Sequence, residues 1–269
     1  MTLQTILVGL VLAGLIGACA PAPTPEIPDP EPKVEVLPPE VLRMYEGLQD
    51  GDVWIEPVDP EYLSMETIRQ EVDYWTDERA GTIIVDPWDR YLYLVQSDNR
   101  AMRYTVGVGE AGRDFSGDAT IPYGREWPRW TPTPNMLNKD PETYEPHRSG
   151  MSGGAENPLG ARALYLHRGG QDTLYRIHGT PQPWSIGTAS SSGCIRMFQQ
   201  DVIDLYERVD KGRTRVTVLR EDQAGQGTRP PGTAPISATS TPIPMAEAQT
   251  LQRMADDDAL TLDMLLGGS

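Results

Sequence analysis

All sixteen excess negative charges of this 269-residue chain lie outside one central stretch, and that unevenness limits where a core can form. Residues 1–81 hold 16 acidic and 4 basic residues and residues 220–269 hold 7 and 3, whereas residues 82–219 hold 16 of each. A neutral, aromatic-bearing centre between acidic flanks is the pattern of one folded domain between solvated tethers. The 25 prolines and 26 glycines are more than a globular chain of this length carries, which fits flanks that are mostly tether. A net charge of −16 offers no broad electrostatic grip on a phosphate backbone, so nucleic acid is excluded as a partner.

Residues 1–20 read as a signal segment. The uncharged run Ile6–Ala18 is thirteen residues long, too short for a helix across a ~30 Å hydrocarbon core but suited to the apolar part of a secretory signal. Ile16-Gly17-Ala18-Cys19 resembles the lipobox of bacterial lipoproteins, in which the Cys thiol is acylated and becomes the mature N-terminus. The alternative is ordinary cleavage at the small residues Ala18-Cys19-Ala20. Either reading sends the chain out of the cytoplasm. Residues 21–39, with eight prolines in nineteen positions, form an acidic linker of extended polyproline character. Residues 40–81 are an N-terminal extension, expected to be partly helical because Leu63, Thr67, Ile68 and Val72 fall on one helical face. Residues 220–269 are expected to be a disordered tail, with a short amphipathic helix at 245–266 as the alternative.

The neutral centre, 82–219, reads as mainly β. Thr82–Val85, Tyr91–Gln96, Met102–Val108, Ala163–His167, Leu174–His178 and Arg215–Leu219 are short runs of β-branched and aromatic residues, punctuated by turn chemistry at Asp86-Pro87 and Asp98-Asn99. Six such strands predict a sandwich or barrel. Phe198, Val202, Leu205, Tyr206 and Val209 share one helical stripe and predict a helix packed on the sheet. The segment 109–161, rich in Pro, Gly, Trp and Asn, is expected to be a long lid beside the active site.

The candidate chemistry lies in His178-Gly179-Thr180 and Ser191-Ser192-Gly193-Cys194-Ile195-Arg196-Met197. A cysteine is nucleophilic as thiolate, which a nearby imidazole generates by taking the proton. His178 closes a predicted strand and Cys194 follows a Gly/Ser-rich turn, so the intervening loop can bring the two side chains together. Gly193 lets the chain turn closely, and backbone N–H groups around Cys194 can bind a tetrahedral oxyanion. With Cys19 acylated, Cys194 has no disulfide partner in the chain, and a lone thiol in an oxidising compartment calls for a function. The rival readings are an inert buried cysteine and a zinc site. The zinc site lacks a second close Cys or His, and no metal or cofactor is expected.

Tyr175-Arg176-Ile177-His178-Gly179-Thr180, Ile186-Gly187, the run Ser191–Met197 and Asp201-Val202-Ile203-Asp204-Leu205-Tyr206 together resemble the signature of bacterial L,D-transpeptidases of the YkuD or ErfK/YbiS/YcfS/YnhG type. Trp130-Thr131-Pro132 to Pro134-Asn135-Met136 and the run Asn157–Leu166 are similar to upstream segments of the same family. The resemblance covers about 82–219. It implies a β-sandwich-like catalytic domain with one or two short helices, acting on diaminopimelate-containing peptidoglycan stem peptides. Cys194 would be the nucleophile, His178 the general base and acid, and the Gly179 carbonyl the group that orients the imidazole. Gly193 would belong to the oxyanion region, and Arg196, Ser192 and Ser191 would contact substrate. Ser192 stands where many members carry His. His167 and His147 have no matching role.

The same resemblance leaves the acyl acceptor open. A second diaminopimelate amine would give a 3-3 cross-link, and a lysine of an envelope protein would give covalent anchoring of that protein. Water would make the enzyme an L,D-carboxypeptidase or amidase. A reading outside enzymology is a catalytically silent wall-binding lipoprotein. The expected location is the periplasm or cell envelope, lipid-anchored, with Ala20 after Cys19 favouring the outer membrane.

Overall fold

The computed structural model describes residues 37–109, 115–189 and 193–232. The chain divides after Val36, and every described residue belongs to the second part. Cys19, the Pro-rich stretch as far as Val36, Ser191, Ser192 and the candidate helix at 245–266 lie outside the described residues.

Strands β1 (Leu48–Asp50) and β2 (Val53–Ile55) form a small hairpin of their own. The main sheet is built from β3 (Gln70–Asp73), β4 (Ile83–Asp86), β5 (Tyr91–Val95), β6 (Arg100–Thr105), β7 (Gly107–Val108), β8 (Gly117–Thr120), β9 (Gly124–Glu126), β10 (Arg162–Arg168), β11 (Gln171–Gly179), β12 (Ile195–Met197) and β13 (Arg215–Val218). Among the described residues four short helices accompany it: α1 (Pro39–Arg43), α2 (Pro134–Lys139), α3 (Pro141–Tyr144) and α4 (Gln199–Arg208). All six predicted strands are present, so the fold is mainly β.

Local chemistry sets the hairpins. Asp98 and Asn99 take φ of 60° and 56°, the left-handed pair of a tight two-residue turn, and β6 folds back on β5 in the register Val95↔Ala101. The Asp86 carboxylate accepts from the N–H groups of Trp88 and Asp89, both at 3.0 Å, and closes the β4–β5 turn.

The strand order is β3-β6-β5-β4-β13-β8-β10-β11-β12-β7, with β9 also on β10. Strands β6 and β7 are separated in sequence by Val106 alone, yet they sit near opposite ends of this order. The sheet must therefore curl over until its two ends meet, which gives the sandwich-like arrangement. The backbone of Val106 bonds to both layers, its N–H to Arg90 and its carbonyl to the N–H of Gly187. Ile83, Val85, Leu92, Tyr104, Leu164, Leu166, Ile177 and Val216 fill the space between. Helix α4 closes one side with Val202 and Leu205, both fully buried, which is the stripe that its periodicity predicts.

Three expectations change. Leu63, Thr67, Ile68 and Val72 do not share a helix: Thr67 and Ile68 lie in a turn stapled by Ser64, and Val72 is in β3, paired with Ala101 of the main sheet. β-branched residues take strand geometry when an open sheet edge satisfies their backbone. The segment 109–161 is not a structureless lid, since it contains β8, β9, α2 and α3. Residues 220–232 are not free tail: Gly227 accepts from Trp75 N–H at 2.8 Å, and Gly225 N–H donates to Asp86 at 2.7 Å.

The N-terminal segment is tied to the sheet by a buried polar cluster. Arg69 pairs with fully buried Asp201 at 2.8 Å, Tyr45 Oη donates to the same carboxylate, and Arg162 forks onto Asp50 of β1 at 2.6 and 2.9 Å. Leu37, Tyr45, Val58, Leu63, Ile68, Ile186 and Phe198 form a second apolar cluster under this cluster of polar groups.

Candidate active site

Strands β11 and β12 run parallel in the register Ile177↔Ile195, His178↔Arg196, Gly179↔Met197. Paired residues of neighbouring strands face the same side, and alternate residues face opposite sides. Ile177, Ile195 and Met197 point into the main core. His178 and Arg196 therefore occupy the other face. The same alternation carries Arg176 and Cys194 onto that face one step earlier, so the pattern assembles Arg176, His178, Cys194 and Arg196 on one surface.

His178 is buried, and its Nδ1 lies 2.5 Å from the carbonyl oxygen of Gly179. A carbonyl accepts, so Nδ1 carries the proton and Nε2 keeps the lone pair. Burial pulls the imidazole pKa down from its ordinary value to about 4; the Gly179 bond resists the fall, and the charges of Arg196 and Arg176 add to it. Burial pushes the Cys194 thiol up, opposed by the N–H of Arg176 and the charges of Arg176 and Arg196. At neutral pH the pair stands as neutral thiol and neutral imidazole, with two cations ready to favour a thiolate once the proton moves.

Gly193 has φ of 124°, backbone that side chains with a Cβ rarely adopt, and it turns the chain into Cys194. On β11, Leu174 also has a left-handed φ, 64°, and its carbonyl oxygen lies 4.0 Å from Cys194 Sγ. Gly179 itself has no room for a side chain, because a Cβ there would collide with Gln199 Oε1 and come within 3.0 Å of Val202. Gln199 is held by the N–H of Ala161 at 2.9 Å.

Arg196 is half-buried, and among the described residues no carboxylate lies within ion-pair distance of it. Burial lowers its pKa, while Cys194 and Tyr144 raise it. Tyr144 brings the end of α3, part of segment 109–161, to this face. Arg176, by contrast, is tied to Asp172 at 2.7 Å and lies over the Tyr165 ring at 4.2 Å. Sequence reasoning missed Arg176 as a member of the face, although its place two residues before His178 in a strand is the signal that would have found it. His167 packs against Tyr123 and His147 against Trp130.

Residues 80–218 match the family described as YkuD, L,D-transpeptidase catalytic domain, and that span includes His178, Gly179, Gly193, Cys194 and Arg196. The chain is 32% identical over 179 residues to "Probable L,D-transpeptidase ErfK/SrfK" of Escherichia coli strain K12, covering 66% of this chain and 54% of that protein. It is 32% identical over 171 residues to "Probable L,D-transpeptidase YbiS" of the same strain, covering 63% and 53%. The chain thus spans about half the length of the curated relatives it matches. A solved structure from Brucella melitensis, titled a probable carnitine operon oxidoreductase, is 49% identical, covers 56% of this chain and 94% of that one, and has a TM-score of 0.41. On the match over 80–218, the chain belongs to the YkuD family of L,D-transpeptidase catalytic domains.

Proposed function

We propose that the protein is a cysteine-dependent L,D-transpeptidase of peptidoglycan, with 82–219 as its catalytic domain. What supports this reading is the parallel register of β11 and β12, which puts Arg196 and His178, its tautomer held by Gly179, on one face, with Cys194 immediately before β12. Cys194 Sγ attacks the carbonyl of the third stem residue as its proton passes to His178 Nε2. The carbon–nitrogen bond to the terminal D-Ala breaks, His178 returns the proton to the leaving amine, and a thioester remains. An acceptor amine then attacks the thioester, loses its proton to His178 and regenerates the thiol. Backbone N–H groups around Gly193 and Cys194 stabilise the oxyanion. Arg196 receives a substrate carboxylate, and Ser191 and Ser192, shortly before it in sequence, also contact substrate.

The acceptor is a second diaminopimelate amine or a lysine of an envelope protein. Acylation of Cys19 would hold the enzyme at the membrane face of the periplasm, with the outer membrane favoured. Among the described residues no helix is long and apolar enough to cross a membrane. The test is to incubate purified sacculi with the protein, digest them and identify the muropeptides by mass. Products linked through two diaminopimelates, or carrying a peptide remnant on diaminopimelate, support the proposal, and simple loss of D-Ala identifies a carboxypeptidase.

A further inference from the structure

A cavity of about 160 Å³ lies where the N-terminal segment meets the C-terminal ends of β11 and β12. Trp54, Glu56, Trp127, Glu156, Thr180 and Gln200 are among the residues that line it. It is separate from the cysteine: Phe198, at its floor, is four extended residues from Cys194, roughly 13 Å at ~3.3 Å per residue.

The chemistry of the lining is one-sided. Its charged groups are the carboxylates of Glu56 and Glu156, and neither lysine nor arginine contributes. Gln200 is 4% exposed; its Nε2 donates to the carbonyls of Glu46 and Glu56, and its Oε1 has no hydrogen-bond partner. That oxygen is itself sealed from solvent, so the acceptors left to a ligand are the carboxylates of Glu56 and Glu156. Trp54 is 48% exposed, and its indole rests on Gly47, where a Cβ would stand 2.5 Å from the ring. The ring is thus held in place with a flat apolar surface in the open. A cavity near this size accommodates a single six-membered ring. A flat aromatic wall with acceptors around it suits a ring whose edge carries hydroxyl and amide donors.

We infer that this cavity holds one pyranose ring of the glycan strand that bears the stem peptide. The inference deepens the transpeptidase reading and rests on it. Distance supports the choice: three stem residues span roughly 10 Å, and the link to the sugar adds a few more, so a donor seated at Cys194 brings its own sugar to this cavity.

The experiment has two arms, both on the full chain. In the first, tryptophan fluorescence is followed during titration with the neutral tetramer of N-acetylglucosamine, with tetralysine as the cationic competitor. A saturable change that is lost in Trp54→Ala and weakened in Glu56→Gln/Glu156→Gln supports the site. Absence of saturation in the wild type, an unaltered Trp54→Ala, or saturation by tetralysine alone overturns it. The second arm compares a disaccharide-linked tetrapeptide donor with the free tetrapeptide. Trp54→Ala should raise KM about tenfold for the linked donor and leave the free peptide unchanged; an equal change for both overturns the inference. Sugar binding by a wild-type protein that acylates with neither donor would sustain the cavity and refute the transpeptidase reading, whereas turnover without sugar binding does the reverse.

Discussion

His178 Nδ1 and the carbonyl oxygen of the next residue, Gly179, are 2.5 Å apart, so the imidazole is oriented by its own backbone. The contact needs no third side chain, and its geometry depends on how β11 is held. This arrangement dictates the pH behaviour of the site.

With an ordinary pKa near 6.5 and a folded value of about 4, His178 stays neutral in the native protein at pH values where it would be charged in the unfolded chain. Between those values the unfolded state takes up a proton that the folded state refuses, so this residue's contribution to stability falls as pH drops from about 6.5 to about 4 and then levels off. The acid limb of acylation should accordingly have its midpoint near pH 4. Stopped-flow acylation by a carbapenem across pH checks this, and a midpoint at the ordinary histidine value would show the buried neutral imidazole to be wrong. His178→Gln should slow acylation by a factor on the order of 10²–10⁴ at neutral pH.

Cys194→Ala should abolish transpeptidation, and intact-mass spectrometry should find a carbapenem adduct on the wild type alone. Equal labelling of the two proteins would place the nucleophile elsewhere.

Gly179→Ala introduces a Cβ against Gln199 and Val202, displacing the strand that presents the Gly179 carbonyl. Acylation should fall by about 10²-fold, the usual cost of an ångström-scale misplacement, with the circular dichroism spectrum retained. Wild-type acylation in this variant would detach the glycine from catalysis.

Arg69→Ala leaves the fully buried Asp201 carboxylate without its cation and should cost about 3–5 kcal/mol in thermal unfolding. The double variant Arg69→Ala/Asp201→Asn removes the stranded charge and should recover part of that loss. A double variant no more stable than the single one would argue that the pair acts through packing.

Cys19→Ser should release the protein from the membrane fraction or stall its maturation, with activity on isolated sacculi retained. With Cys19 acylated, the Pro-rich stretch 20–39 would reach roughly 60 Å at ~3.1 Å per residue in polyproline form, and loss of the anchor would change where the enzyme works. A Cys19→Ser protein that remains membrane-bound and normally processed favours cleavage at Ala18-Cys19-Ala20.

Much of the fold is legible because period-two runs and turn residues are local signals. Asp98-Asn99 announces its hairpin, and Phe198, Val202 and Leu205 announce α4. The segment 109–161 is not legible in the same way, since Gly117–Thr120 has little strand character of its own and takes that conformation by pairing with Arg215–Val218, about a hundred residues later. The chemistry is legible in part. His178 and Cys194 are conspicuous by residue type and Arg176 shares the face of His178 by strand alternation, whereas the match of that face to the one carrying Arg196 comes from the parallel register of β11 and β12, a non-local fact. The union of Trp54 with Gln200 is likewise invisible until the N-terminal hairpin is placed against α4.

The position of β3 bears on how the protein can be cut. Its pairing with β6, from Gln70↔Arg103 to Asp73↔Arg100, covers what is otherwise an open edge of the main sheet. A fragment trimmed to the catalytic span at residue 82 would keep His178 and Cys194 but bare the backbone donors and acceptors of Arg100–Arg103. Such a row is a template on which a second chain adds a strand. Self-association, before any loss of chemistry, is then the failure to expect of the minimal fragment.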